Sequence, residues 1–467
     1  MQHVNYDFAK EEKTKKIRIG CASGYWGDDI EPGLETARKG NVDYLAFDYL
    51  AELTMSILRR QMLKDPSKGF VPDIVPHWEK FLPICRENGI KMICNAGGSN
   101  PMGAADAIEE LCQRMDIHGL KLGLVTGDDL SDRLDEIRAA GVKLTNTDTG
   151  EEDIDRVKDK IVGAYAYAGA DGIIDALEQG CDHVIAGRVS DISLYVGPMM
   201  HEMGWDYSAK YNDKIGAAVN VSHVVECGSP CTGGNSNLWA SSPENWHIGF
   251  PIIEMNENGE AEISKVEGTG GIINQWTMKE HLTYEVIDPN NYIMPDGIAN
   301  FTTVKLEESG KDKVKFTNMT GKGRPDMFKV CIGVEEGFMS ESMLIYPWPN
   351  AYEKAQKAEE LVRKRLDYLG CKPNELRFDY IGVNCLHGST APAPDPNINE
   401  VALRISARTD TYAEADLIKR NTTHLWTYGP MGAACGVNPR PRKVIGLWPT
   451  LVPREFVKPQ LTIKEVK

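Results

Sequence analysis

The chain has 467 residues, 42% of them apolar and 26% charged, which is material for two or three globular domains with sizeable cores. Its net charge of −16 excludes the basic stripe that a nucleic-acid partner needs, and no apolar run reaches the roughly 20 residues of a membrane span. The 11 cysteines are scattered and odd in number, which fits a reducing cytoplasm rather than a disulfide framework.

Residues 1–16 are polar and mixed in charge, without the apolar stretch of a signal peptide, and read as an N-terminal arm. From 17 to about 187, short β-type runs alternate with helical segments. Strand-like 17–20 precedes helix-like 32–38, and 42–47 leads into the amphipathic segment 52–62. The runs 91–94 and 120–125 precede helical 101–115 and 130–140, and 161–167 and 183–186 continue the pattern. Such alternation signals βαβ units and a parallel sheet. The predicted fold is α/β, a mostly parallel, doubly wound Rossmann-like sheet domain over 17–245, with a barrel-like N-terminal domain as the alternative.

Beyond residue 241 the pattern changes. The runs 248–255, 261–266 and 300–305 alternate in polarity, and Asn258-Gly259 is a hairpin signal between two of them. A helix over 351–369 puts Ala355, Ala358, Leu361, Val362 and Leu366 on one face. Strand-like 378–384 and 401–407 and a helix over 412–424 complete an α+β domain, 246–467.

Polar and glycine-rich segments follow the strands of the first half. They are 20–28 with Ser23 and Gly24, Asp48 with Glu52, and 95–101 with Asn95, Gly97, Gly98 and Ser99. Thr126-Gly-Asp-Asp129 and 187–191 with Arg188 and Asp191 complete the set. Parallel sheets bind ligands outside the carboxyl ends of their strands, so these loops predict one site. None has the spacing of a dinucleotide or Walker fingerprint, and no cofactor is assigned.

Two close carboxylates, Asp48 and Glu52, suit a paired acid and base; the alternative makes Asp48 a helix cap and Glu52 a surface residue. Arg188 reads either as a local ion pair with Asp191 or as a clamp for a substrate carboxylate. Free amides where 97–100 opens a helix can hold an anion, or the glycines merely permit a turn. A second cluster holds His223, Glu226, Cys227, Thr232, Gly233 and Gly234, and a further glycine loop carries Thr269 and Gly270. Cys227 and Cys231, spaced C-x3-C without a second pair, read as structural rather than metal-binding.

Taken together, segments 20–28, 43–54, 95–98 and 187–191, and Glu226-Cys-Gly with Thr232-Gly-Gly234, resemble the acyclic terpene utilisation AtuA family, from the first strand to at least Gly271. The resemblance implies a cytosolic catabolic enzyme, a hydratase or lyase on branched acyl-CoA thioesters or related carboxylic acids. Longer relatives carry a small ferredoxin-like domain at the C-terminus. The chain ends at Lys467, so the resemblance implies a separate small partner subunit and an oligomer. Cys231 departs from the family's motif, which weakens a metal reading of the cysteine pair.

The leading expectation is therefore a hydro-lyase. Asp48 or Glu52, and Glu226 with His223, would move protons. The amides of Gly97, Gly98, Gly233 and Gly234 would hold an enolate, and Arg188 a carboxylate. Two other readings stand beside it. One is a carboxylate- or acyl-CoA-binding subunit active only with its small partner. The other is a metal-dependent lyase using Cys227, Cys231 and His223.

Overall fold

A computed structural model describes residues 14–467. The predicted arm lies outside the described residues up to residue 13, and Lys16 already belongs to the first strand.

In chain order the strands begin with β1 (Lys16–Ser23), β2 (Tyr44–Phe47), β3 (Lys91–Cys94), β4 (Lys121–Thr126), β5 (Ile161–Ala166) and β6 (His183–Ala186). Next come β7 (Pro251–Asn256), β8 (Ala261–Lys265), β9 (Tyr292–Met294), β10 (Gly297–Asn300), β11 (Lys305–Gly310), β12 (Lys313–Thr317) and β13 (Thr320–Lys322). The helices among them are α1 (Glu31–Lys39), α2 (Glu52–Lys64), α3 (Ile74–Asn88), α4 (Pro101–Arg114), α5 (Leu134–Ala139), α6 (Asp171–Glu178), α7 (Ser193–Met203), α8 (Asn212–Val225) and α9 (Gln275–Leu282).

The chain forms two compact units. The first draws on the described residues up to 156, on 162–333 and on 447–467. Its centre is a mixed ten-stranded sheet in the order β11-β12-β8-β7-β1-β2-β3-β6-β4, closed by the C-terminal strand Gln460–Glu465. Strands β1, β2, β3, β6 and β4 pair in parallel, while β7, β8, β12 and β11 on one flank and Gln460–Glu465 on the other pair antiparallel. Among the described residues no closed barrel is present, and the sheet continues across residue 245.

The parallel strands form because their sequences are apolar on both faces. Every residue of β2 and of β6 is buried, as expected of strands covered on two sides. Around them Leu45, Phe47, Trp78, Phe81, Met92, Ile108, Leu122 and Leu124 belong to one core.

Two sequence expectations are corrected. Segment 161–166 forms a strand, but it pairs outside the large sheet, with the strand that opens at Met327, and β6 fills the slot between β3 and β4. Segment 301–304 is a turn rather than a strand. The Asn300 side chain accepts the Thr302 N–H at 2.9 Å and Phe301 N–H donates to Pro289, so the local hydrogen bonds replace a ladder.

The second unit comprises 157–161 and 334–446. Here β14 (Met327–Pro347) contributes residues 338–347, antiparallel to β16 (Glu400–Thr409), and β16 also pairs with β15 (Glu375–Ile381). Alternate residues of β16 are buried, and α10 (Ala351–Tyr368) lays Ala355, Ala358, Val362 and Leu366 in the same core as Leu403 and Ile405.

In the first unit, α8 crosses β13 at backbone contact. A Cβ added to Gly216 would stand 2.5 Å from the Gly321 Cα. Gly216→Ala is expected to cost about 1–3 kcal/mol through forced displacement of that crossing. Urea unfolding measures it, and an unchanged midpoint would refute the close approach.

Candidate functional site

Because β1, β2, β3, β6 and β4 are parallel, their carboxyl ends lie on one edge in that spatial order. The loops that follow therefore meet. At the end of β1 the register with β2 shifts between Cys21 and Ser23, an irregularity that re-aims the strand end. Ser23 Oγ then donates to the Asp48 carbonyl at 2.9 Å. Gly24 lies so close to the next helix end that a Cβ would stand 2.5 Å from the Cys227 carbonyl oxygen.

Asp48 directly follows β2 and is 3% exposed. It is not a helix cap, since α2 begins at Glu52 with Ala51 at its N-cap. One oxygen of its carboxylate accepts from Asn95 Nδ2 at 2.5 Å and from the Leu50 N–H at 3.0 Å. Asn95 Oδ1 in turn accepts the Tyr49 N–H at 2.8 Å, so the ends of β2 and β3 are tied together.

Arg188, after β6, is 1% exposed. Its Nη1 donates to the Leu50 carbonyl at 2.6 Å and its Nη2 to Asp191 at 2.7 Å, while the guanidinium lies 3.9 Å from the Tyr167 ring centroid. Its backbone N–H donates to Asp128 Oδ2 at 2.8 Å. That contact requires Gly187, where a Cβ would stand 2.5 Å from the Asp128 carboxylate. Arg188 Nε is buried and makes no hydrogen bond. The local ion pair is thus present, and one donor remains unused.

Glu226 caps the C-terminal end of α8 and is 8% exposed, with Cys227 Sγ donating to it at 3.2 Å. Asp48, Asp191 and Glu226 each present one carboxylate oxygen, and these atoms lie within 4.8 Å of one another. The Asp191 side chain is about a third exposed and opens the trio to solvent. Burial lifts the Asp48 carboxyl to about 8, with Asp191 adding and Arg188 opposing. Burial likewise raises Glu226 well above the carboxylate range, reinforced by Asp191 and Asp48. Three ionised carboxylates against one guanidinium would leave excess negative charge in a low-dielectric space. Either protons or a cation must compensate it. An all-oxygen set of this kind is suited to a hard divalent cation.

Glu52 stands nearer the surface. It pairs with Lys329 at 3.2 Å, and although burial opposes it, its own backbone N–H and Lys329 hold its carboxyl below the usual range. Its charge acts on both Arg188 and Asp191.

Other expected site residues serve the scaffold. His223 is buried with both ring nitrogens engaged, Nε2 donating to the His281 carbonyl at 3.1 Å and Nδ1 accepting from Tyr292 at 3.0 Å. Burial lowers its pKa to about 4, so it is neutral and committed to an aromatic cluster with Tyr292, Phe301 and His281. Both ring nitrogens of His223, which was expected to move protons and to join Cys227 and Cys231 around a metal, are thus used within the chain. Cys231 is fully buried in the core.

Three of the four expected glycine amides, those of Gly98, Gly233 and Gly234, are committed within the chain. Gly98 N–H donates to Asn95, Ser99 N–H to Gly69, Gly233 N–H to Pro230 and Gly234 N–H to Ser229. Those donors are used within the chain. Asn100 caps α4, accepting from the Gly103 N–H, and a Cβ at Gly97 would press on the Ala186 carbonyl and Pro101. Thr232 Oγ1 lies 2.7 Å from the Gly249 carbonyl. Thr269 and Gly270 line a separate cavity of about 590 Å³ with Trp246 and Lys265, and none of the three carboxylates lines it.

Sequence reasoning included Asp128 only as part of the loop 126–129, and it missed Tyr167 and Tyr195. Asp128 follows an apolar strand, the same signal that singled out Asp48. Tyr167 follows β5, and Tyr195 lies inside α7, where nothing local marks it.

A family model described as acyclic terpene utilisation family protein AtuA matches residues 17–463. No curated protein and no solved structure matches the chain.

Arg188→Met removes the cation and keeps the stem. Breaking a buried pair costs about 3–5 kcal/mol, and with Asp191 a third exposed a loss near the lower end, about 3 kcal/mol, is expected in chemical unfolding. A variant as stable as the wild type would show that the pair carries no such weight. Burial holds the Asp128 carboxyl at about 7 in the folded chain, against about 4 when unfolded. The folded state therefore keeps this proton more tightly, and its contribution to stability is lost as pH rises from about 4 to about 7. Asp128→Asn should flatten that stretch of the stability–pH curve relative to wild type. Parallel curves for the two proteins would contradict the assignment.

Proposed function

Because the chain belongs to the acyclic terpene utilisation family AtuA, we propose that it is a catabolic hydro-lyase. It adds water to, or removes it from, a carbon–carbon double bond beside an activated carboxyl group. Its substrate would be a branched or unsaturated acyl-CoA or carboxylic acid. The observation that carries this reading is the carboxylate trio of Asp48, Asp191 and Glu226 buried against the Arg188 guanidinium.

Such a reaction needs a base for the α-proton, an acid for the departing hydroxyl and a donor for the enolate oxygen. Glu52, held ionised by Lys329 at the more exposed side, suits the base. Whatever neutralises the trio, proton or cation, supplies the acid. The unused Arg188 Nε–H suits the enolate or a substrate carboxylate, since the amides of Gly98, Gly233 and Gly234 are used within the chain. Burial supports the roles of the trio and of Arg188, since charges act more strongly on one another where water is excluded.

The test is turnover of α,β-unsaturated and β-hydroxy acyl substrates, as thioesters and as free acids, followed by NMR. Glu52→Gln, Asp48→Asn and Glu226→Gln are each expected to lower kcat/KM by about 10²-fold or more. Wild-type rates in all three would sink the assignment. Ligand-dependent thermal stabilisation without turnover would instead favour a binding subunit that acts with a small ferredoxin-like partner.

A further inference from the structure

The trio is assembled from three distant segments, Asp48 after β2, Asp191 after β6 and Glu226 at the end of α8. Two of its members are more than nine-tenths buried, and Arg188 brings a single positive charge to three carboxylates. An acidic cluster alone does not make a site. Here a second feature points to something bound. Arg188 Nε is wholly buried and without an acceptor, with Asp191 and Asp48 among its charged neighbours. Tyr195 on α7 is wholly buried in the same neighbourhood of Glu226 and Asp48, and its hydroxyl meets only the weak partner Cys21. Folded chains rarely leave buried donors unused unless something else accepts from them.

We propose that Asp48, Asp191 and Glu226 bind one hard divalent cation, of the Mg²⁺ and Mn²⁺ class, through their carboxylate oxygens. The inference rests on the reading of this trio as the reaction centre. Oxygen-only donors favour such ions over thiophilic ones. Ligands around Mg²⁺ stand about 3.0 Å apart when adjacent and about 4.2 Å when opposite, so the three oxygens, within 4.8 Å of one another, would draw together around the ion. Three protein ligands leave positions for water or for oxygens of a substrate carboxylate or thioester. A cation-held oxygen is the acceptor that Arg188 Nε lacks. The ion supplies the charge compensation that one guanidinium does not, and its open positions would orient a substrate at the trio. This ligand set shares no residue with Cys227, Cys231 and His223.

The experiment uses the full chain, stripped with chelator and titrated with Mn²⁺, with free Mn²⁺ followed by EPR. One Mn²⁺ per chain is expected, displaced by Mg²⁺. Affinity should fall at least tenfold in both Asp191→Asn and Glu226→Gln, whose folding circular dichroism verifies. Wild-type protein that binds no Mn²⁺ at about 1 mM would overturn the proposal without recourse to any variant. Undiminished binding in both folded variants would overturn it too. Chelator-stripped protein that keeps full lyase turnover would remove the cation and leave the hydro-lyase reading standing. Stoichiometric binding without turnover on any unsaturated acyl substrate would keep the cation and remove that reading.

Discussion

The site depends on one buried guanidinium. Arg188 reaches the loop after β2 through the Leu50 carbonyl, the loop after β4 through its own N–H to Asp128, and the residue after β5 by lying on the Tyr167 ring. A fourth link, to Asp191, stays within its own loop. Removing a guanidinium from water is costly, and only this number of partners makes its position tolerable. Those partners exist because β2, β3, β6 and β4 lie side by side and parallel, which brings their carboxyl ends to one edge. The sheet therefore dictates where the arginine can sit, and the arginine dictates how close the carboxylates come.

Close approach also needs missing side chains. At Gly24 and Gly187 a Cβ would collide with the Cys227 carbonyl and the Asp128 carboxylate, respectively. These glycines are spacers that let polar groups reach one another. Gly97 is a spacer of the same kind, against the Ala186 carbonyl, whereas Gly98, Gly233 and Gly234 close turns with their own amides. A glycine-rich loop at a strand end thus has two physical meanings, and the two differ only in where the N–H points.

That difference explains what was legible in the sequence. The apolar strands and the polar residues after them were readable, because a strand buried on both faces leaves an unbroken apolar run that ends abruptly in Asp48, Asn95 or Arg188. The order of the strands was not. Insertion of β6 between β3 and β4 is a choice among long-range pairings, and no local pattern records it. His223 shows the same limit. Its neighbours in sequence, Glu226 and Cys227, suggest chemistry, whereas its neighbours in space are Tyr292, Phe301 and His281, at least 58 residues away. Asp191 read as one half of an ion pair, and only the fold shows it as part of a trio with Asp48 and Glu226.

A second buried carboxylate separates structural burial from functional burial. Asp296 is 1% exposed and accepts from the Ala170 N–H at 2.7 Å, the Tyr207 hydroxyl at 2.8 Å and the Ser193 hydroxyl at 2.5 Å. Its acceptor capacity is met by neighbours whose own donors are thereby used. Such a network is complete, and it fixes the chain without inviting anything in. Glu226 is comparably buried, yet its one side-chain donor is the weak thiol of Cys227, while Arg188 Nε goes without an acceptor in the same neighbourhood. Both an excess of negative charge and an unused donor persist there, and they do not cancel one another within the chain. Protons or a bound group must complete a buried region in that condition, which is the physical difference between the braced carboxylate of Asp296 and this trio.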